Sequence, residues 1–422
     1  MNEAAEASSG TSSALAGVRV ADFTRQMAGP YGTLMLGDFG ADIIKVESAP
    51  GGDPIRTSGT HFMAGTSTMF LTWNRNKRSI CIDLRSKEGL ALAHRLIETA
   101  DVVIENFRPG VADEIGIGYP DVQGLNERAI YVSVNAFGSG GPLSARPGTD
   151  PVVQAFSGVM SVTGERGGGP VLVGVPIADY TSSMAAMQAV LLGLLARERT
   201  GRGQRIEVPM FATLLFGLTT RLGPYFLTGE NPTRFGSQHS QVAPYQAFEV
   251  SDGWIVSGIW GEGTGKWEKF CEALESTELL DDERFTSNVL RVKHRDELAE
   301  LLSERFKQRT AAEWEPRFVE RGVLFTPVNT FSDVIDHPQT KALGLVKTVV
   351  HPTAGELKQI APAVLMSDTP GAIRRPPPLL GQHTVEVLTE LGLSTEAIEE
   401  ALEKGTVRAY QEPFPPIAAL ET

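Results

Sequence analysis

Cysteine is nearly absent: the 422 residues hold two, Cys81 and Cys271, far apart in the chain. That excludes a disulfide framework and points to reduced thiols in a cytoplasmic protein. There is no CxxC, no HExxH and no cluster among the seven histidines. A structural or catalytic metal is therefore not expected, nor any permanently bound cofactor. Basic residues are in the minority, 38 against 51 acidic ones, for a net charge of −13. A general nucleic-acid binder needs the opposite balance. Long apolar runs are missing too. The longest, Met184 to Ala196, is too short to span a membrane and contains Gln188. The first 14 residues are rich in Ser and Ala, carry Glu3 and Glu6 and lack a basic start. They read as a disordered tail, not a secretory signal. No internal repeat is evident.

What is present reads as a large α/β protein. Val18 to Phe23 is a β-rich run, Pro30 to Phe39 has helical spacing, and Asp42 to Glu47 is a second strand. Together they make a βαβ opening. Its turn, Thr24 to Gly29, lacks GxGxxG, so a dinucleotide pyrophosphate has no cradle there. Gly51 to Thr72 reads as a long loop or lid. Asn74-Arg75-Asn76-Lys77-Arg78 precedes the strand Ser79 to Leu84. Its cations suit either phosphate groups or a solvated turn. Ser86 can cap a helix running to Thr99. The strand Val102 to Glu105 ends in Asn106, Phe107 and Arg108. An amide, an aromatic face and a guanidinium at a strand end suit an adenine ring and a phosphate, or a plain turn. A further strand, Ile130 to Asn135, leads into the loop Phe137 to Asp150. Thr163 to Pro170 is a Gly-rich turn without the Lys-Ser/Thr of a P-loop. Beyond it, Phe211 to Leu227 is a second apolar helix, and Tyr245 to Ile259 reads as a hairpin about Ser251-Asp252-Gly253.

The chain is organised around Val175 to Met210. Thr181, Ser182 or Ser183 can cap a helix there, and Met184 to Leu195 reads as buried. Thr200-Gly201-Arg202-Gly203 ends it, and Gln204 to Pro209 reads as a strand. Asp179 then stands just before the positive helix end. It is either a cap or an ionised, poorly hydrated nucleophile.

Taken in order, LAGVRVADFTRQMAGPYGTLMLGDFGADIIKVE, NRNKRSICIDL, DVVIENFRPG, GTDPVVQAFSGVMSVTG, ADYTSS and TGRGQRIEV closely resemble the class III coenzyme A transferases. That is the family of formyl-CoA transferase and carnitine CoA-transferase. The resemblance implies an α/β fold, with a Rossmann-like large domain containing a parallel sheet, a smaller α+β domain, and an interlocked homodimer. The corresponding division is a tail at 1–14, a first part of the large CoA-binding domain at 15–230, a small domain at 231–330, and a linker and return at 331–422. The resemblance places the catalytic acid at Asp179. It places CoA contacts at Gln26, Met27 and Ala28, at Ile82, Asp83, Leu84 and Arg85, and at Asn106, Phe107 and Arg108. Gly148 and Thr149 would meet the pantetheine end. Glu114, Ser48 and Met27 depart from residues common in the family, which points away from formyl-CoA and oxalate as the substrates.

The reaction so implied moves CoA from an acyl-CoA to a free carboxylic acid. Asp179 would attack the thioester and form an acyl-aspartyl anhydride, with helix N–H groups stabilising the oxyanion. The Gly-rich turns at Gly167 to Gly169 and Gly261 to Gly265 would exclude water. Two alternatives stay open. An α-methylacyl-CoA racemase of this fold would need a histidine base where Thr149 stands, in Gly148-Thr149-Asp150. A non-catalytic CoA-binding protein would have no use for Asp179.

Overall fold

The computed structural model describes residues 13–49, 51–260 and 265–410. Most of the expected tail, and most of the second Gly-rich turn, lie outside the described residues. The chain divides into two compact units. The first comprises residues 1–159, 173–223 and 342–422, and the second residues 160–172 and 224–341.

The first unit is built on a seven-stranded sheet. Its strands are β1 (Arg19–Asp22), β2 (Asp42–Ser48), β3 (Lys77–Ile82), β4 (Val102–Glu105), β5 (Ile130–Asn135), β6 (Arg205–Pro209) and β7 (Val407–Arg408). The spatial order is β7-β3-β2-β1-β4-β5-β6. Every pairing is parallel except that of β7, which runs antiparallel along β3. At the centre, Ala21 lies beside Ile44 on one side and Val103 on the other. The central strands are apolar and buried along most of their length, as expected of a parallel sheet covered on both faces. The order reverses about β1. The chain runs outward to β2 and β3 on one side of β1 and to β4, β5 and β6 on the other, and open α/β sheets take ligands at the carboxyl ends of strands at such a point.

Four helices set the site: α1 (Pro30–Asp38), α2 (Lys87–Thr99), α3 (Asp150–Ser157) and α4 (Ile177–Thr200). Pro30 opens α1, where its missing N–H costs nothing. Ser86 caps α2, its hydroxyl accepting from Gly89 N–H at 3.0 Å. Helices α1 and α4 pack together closely: a Cβ at Gly32 would lie 2.8 Å from the Ser183 carbonyl oxygen. Where a lid or loop was expected before Thr72, the chain forms a short 3-10 turn (Pro54–Thr57), a small hairpin and a helix (Thr68–Trp73).

The cationic segment 74–78 neither binds solvent nor stands free for phosphate. Arg75 pairs with Asp38 at 2.7 Å, Lys77 with Asp22 at 3.2 Å, and Arg78 with Asp42 at 2.6 Å. All three cations are buried. The strand begins at Lys77, and periodicity alone gave no sign that its first residues carry buried charge. A further buried pair joins Glu47 to Arg56 through two bonds of 2.7 Å. Burial pushes Glu47 up, but Arg56, Lys45 and the Ser79 hydroxyl together outweigh it and the carboxyl falls to about 2. The pair's stabilisation is therefore full above the ordinary glutamate range and is lost as pH falls toward about 2. Arg56→Met strands that carboxylate. We expect a loss of about 3–5 kcal/mol at pH 7 in urea unfolding, narrowing toward pH 3 as Glu47 takes a proton.

The second unit has a three-stranded antiparallel sheet in which Gly253–Gly258 lies between Tyr245–Val250 and Leu324–Pro327. Helices close over an aromatic core of Phe248, Phe270, Phe306, Trp314 and Phe318. The Gly-rich turn at 163–170 is pinned. The Arg234 guanidinium donates to the Thr163 and Gly168 carbonyls at 3.1 and 3.0 Å.

Candidate active site

Residues at the carboxyl ends of β1, β2, β3 and β4 line a cleft of about 620 Å³. Phe23, Arg25, Asp83, Leu84, Arg85, Lys87, Phe107 and Glu114 are among its lining residues. Arg25 lies over the Phe107 ring, 4.6 Å from the centroid, and makes a cationic shelf on an aromatic face. Asp83 turns the chain at the end of β3, its Oδ1 accepting from Arg85 N–H at 3.1 Å. The Arg85 side chain is exposed. The volume is that of a small-molecule site, and its wall mixes apolar groups with Arg25, Arg85 and Lys87 and with the acids Asp83 and Glu114.

Several residues singled out from the sequence sit elsewhere. Ile82 is fully buried in the core. Asn106 spends its amide on the neighbouring turn, accepting from Arg25 N–H and donating to the Arg25 carbonyl, both at 2.7 Å. Arg108 lines a separate cavity of about 230 Å³ with Glu105, Tyr131 and Arg205. Met27 and Ala28 are buried, whereas Gln26 is exposed. Gly148 packs on Ala136 and Phe137, and Thr149 lies exposed just ahead of α3. The cleft also takes in Arg25 and Lys87, which no sequence motif singled out. Arg25 stands just past β1, and Lys87 opens α2.

Helix α4 begins earlier than its hydroxyl residues suggested. Pro176 precedes it, and Asp179 lies in its first turn. Thr181, Ser182 and Ser183 are inside the helix and donate back to the carbonyls of Ala178 or Asp179. The cap comes from another element. Asp150, at the start of α3, accepts through Oδ1 from Ala178 N–H at 2.7 Å and Asp179 N–H at 3.3 Å. Its Oδ2 accepts from Gln154 at 2.6 Å. Those two helix N–H groups are thus already occupied, so they do not form the expected oxyanion site. Asp150 was visible in the sequence as an acid opening a helix. Only the fold shows that it caps a different one.

Asp179 is not held ionised either. Burial, and then the Asp150 charge, push its carboxyl up to about 7. No side chain of opposite charge contributes to that shift. Among the described residues no cation pairs with this half-buried carboxylate, and acids perturbed in this way concentrate at functional sites.

Comparison with known proteins decides the class. Residues 15–384 match the family model described as CoA-transferase family III. The chain belongs to that family. Among its relatives is a succinyl-CoA:glutarate CoA-transferase of Mus musculus, 38% identical over 94% of this chain and 91% of that protein. A succinyl-CoA–D-citramalate CoA-transferase of Chloroflexus aurantiacus is 33% identical over 89% and 93%. Of solved structures, a CAIB/BAIF family protein from Brucella suis superposes with a TM-score of 0.80 at 35% identity, over 90% of this chain and 100% of that one. This family III CoA-transferase is therefore an enzyme that moves CoA from an acyl-CoA to a free carboxylic acid. Among its described residues no helix is long and apolar enough to cross a membrane, and no three potential ligands cluster as a metal site would require.

Proposed function

We propose that the enzyme passes CoA between short dicarboxylic acids through a covalent intermediate on Asp179, with succinyl-CoA the first donor to try. The observation that carries the covalent step is the environment of Asp179: a partly buried carboxylate, pushed to about 7, with an acid rather than a cation beside it. The names of the relatives, succinyl-CoA paired with glutarate or citramalate, suggest the substrate class.

Ionised Asp179 attacks the thioester carbonyl carbon. The C–S bond breaks, CoA leaves as thiolate, and a mixed anhydride remains. The thiolate then attacks the aspartyl carbonyl and releases the donor acid, leaving an aspartyl-CoA thioester. The acceptor carboxylate repeats the exchange in reverse and departs as the new acyl-CoA. Each step trades one activated acyl bond for another, so no energy source beyond the thioester is needed. A thiol titrating near 8.5 makes thiolate a good leaving group. The nucleotide end of CoA fits the cleft of Arg25, Arg85, Lys87 and Phe107, with guanidinium and ammonium groups for phosphate and the shelf for adenine. Gln26 and Thr149, both exposed, would follow the pantetheine arm. Thr149 is not a base near neutrality, which disfavours the racemase reading.

We further propose an interlocked homodimer. Tyr180, Met184, Leu191, Leu192 and Leu195 leave an apolar stripe exposed along α4, which a second copy would cover. The two buried free thiols suit a reducing compartment such as the cytoplasm.

The test is trapping. Succinyl-CoA is mixed with enzyme, quenched with hydroxylamine and digested, and the peptide bearing Asp179 is weighed. We expect an aspartyl hydroxamate there and none on any other acid. No adduct, despite steady CoA transfer, would exclude the covalent route.

A further inference from the structure

The turn from Thr24 to Ala28 is gripped by side chains from four other elements. Gln26 stands at φ +64°, in the left-handed region that residues other than glycine rarely adopt. Asp53 holds it there, its Oδ1 accepting from Gln26 N–H and Ile55 N–H, each at 3.1 Å. Asp53 Oδ2 takes the Lys45 ammonium at 2.9 Å, and that ammonium also donates to the Thr24 carbonyl at 2.8 Å. Asn106, just past the end of β4, brackets Arg25. On the far side, Ser183 Oγ of α4 lies 2.9 Å from the Ala28 carbonyl oxygen and 2.8 Å from that of Asp179. The turn and the helix bearing Asp179 thus share one hydroxyl.

The Lys45 and Asp53 side chains are wholly shut off from solvent, so neither can touch CoA. A buried ion pair is a poor source of stability, because desolvation offsets its attraction and an apolar pair of similar volume does as well or better. What this pair does is fix backbone: one carbonyl, one N–H and one left-handed residue of the turn. Resting on the reading that CoA lies along this turn and that Asp179 is the nucleophile, we infer that Lys45 and Asp53 are positioning residues. They hold the Gln26 turn so that the bound thioester presents its carbonyl carbon to Asp179, and Ser183 keeps turn and helix in register.

The experiment compares wild type with Lys45→Met/Asp53→Leu, which removes both charges and the acceptor for Gln26 N–H, and with Lys45→Met/Asp53→Asn, which restores that acceptor. Three quantities are read: single-turnover acylation by saturating succinyl-CoA, the dissociation constant of adenosine 3′,5′-bisphosphate, and the midpoint of thermal unfolding. We expect acylation to fall at least tenfold in the Leu variant and to recover several-fold in the Asn variant. Bisphosphate affinity should stay within about threefold of wild type, because Asn106 and not the pair holds the Arg25 backbone of the nucleotide shelf. Acylation within twofold of wild type in the Leu variant would overturn the inference. So would a parallel loss of acylation, bisphosphate affinity and thermal midpoint, which is the mark of a pair that merely supports the fold. Wild-type enzyme that forms no acyl adduct would instead sink the covalent reading, and this inference with it.

Discussion

Asp179→Asn should abolish CoA transfer while making the protein more stable at pH 8. If Asp179 is the nucleophile, its amide has no lone-pair oxygen basic enough to open a thioester. We expect transfer to drop on the order of 10⁴-fold or more, the scale on which lost nucleophiles are measured. The stability gain follows from the raised carboxyl. Folding places Asp179 where the charged form is poorly hydrated and faces Asp150, so its carboxyl moves from 3.8 to about 7. The native state then holds a proton that the unfolded chain has already released. Wild-type stability therefore declines as pH rises from about 4 through about 7, and the asparagine variant lacks that decline. Three units would be worth about 4 kcal/mol if the site were wholly dry. Water reaches part of the side chain, so about 1–3 kcal/mol is the expectation at pH 8, vanishing near pH 4. Urea unfolding at the two pH values checks it. An Asn variant no more stable than wild type at pH 8 would mean the carboxylate is better solvated than its surroundings imply.

Asp150→Asn should move the activity profile to lower pH. Wild-type kcat/KM is expected to rise with pH through a limb near 7, as Asp179 loses its proton. The asparagine keeps Oδ1 as acceptor for the Ala178 and Asp179 N–H groups, so the cap on α4 survives. What goes is the negative charge facing Asp179. The limb should shift down by roughly one pH unit, the effect of removing a like charge at close range. At pH 6 the variant would then be several-fold faster relative to its plateau than wild type is. Asp150→Ala removes charge and cap together. It should also cost about 1 kcal/mol of stability, which separates the electrostatic role from the structural one. A limb unmoved in Asp150→Asn would leave burial as the sole cause of the raised carboxyl.

These two acids show how the site divides between sequence and fold. Asp179 stood out as an acid in a small, apolar context beside a helix. Its partner Asp150 opens a different helix, 29 positions away in the chain, and nothing in either segment announces that the two converge. The same holds for the cations. Arg75, Lys77 and Arg78 look like a solvated or phosphate-binding run, yet each ends buried against Asp38, Asp22 or Asp42. Asn106 looks like a ligand amide but is occupied by Arg25 backbone. A side chain's hydrogen-bonding capacity is evident from its type. Whether a neighbour has already used it is a property of the assembled chain.

The local features that the sequence determined are those governed by near neighbours. The βαβ opening, the Ser86 cap, Pro30 at the start of α1, the glycine stop at Gly201 and the apolar central strands all follow from spacing and backbone preference, and the ordered motifs were specific enough to name the family. Tertiary structure alone decided which charges pair, that α4 begins before its hydroxyl residues, and that its first N–H groups belong to Asp150. It also placed Arg25 on Phe107. Those outcomes depend on which strand ends meet where the sheet reverses order, and on how much water remains between them. Both are set by contacts between segments that lie tens to hundreds of residues apart.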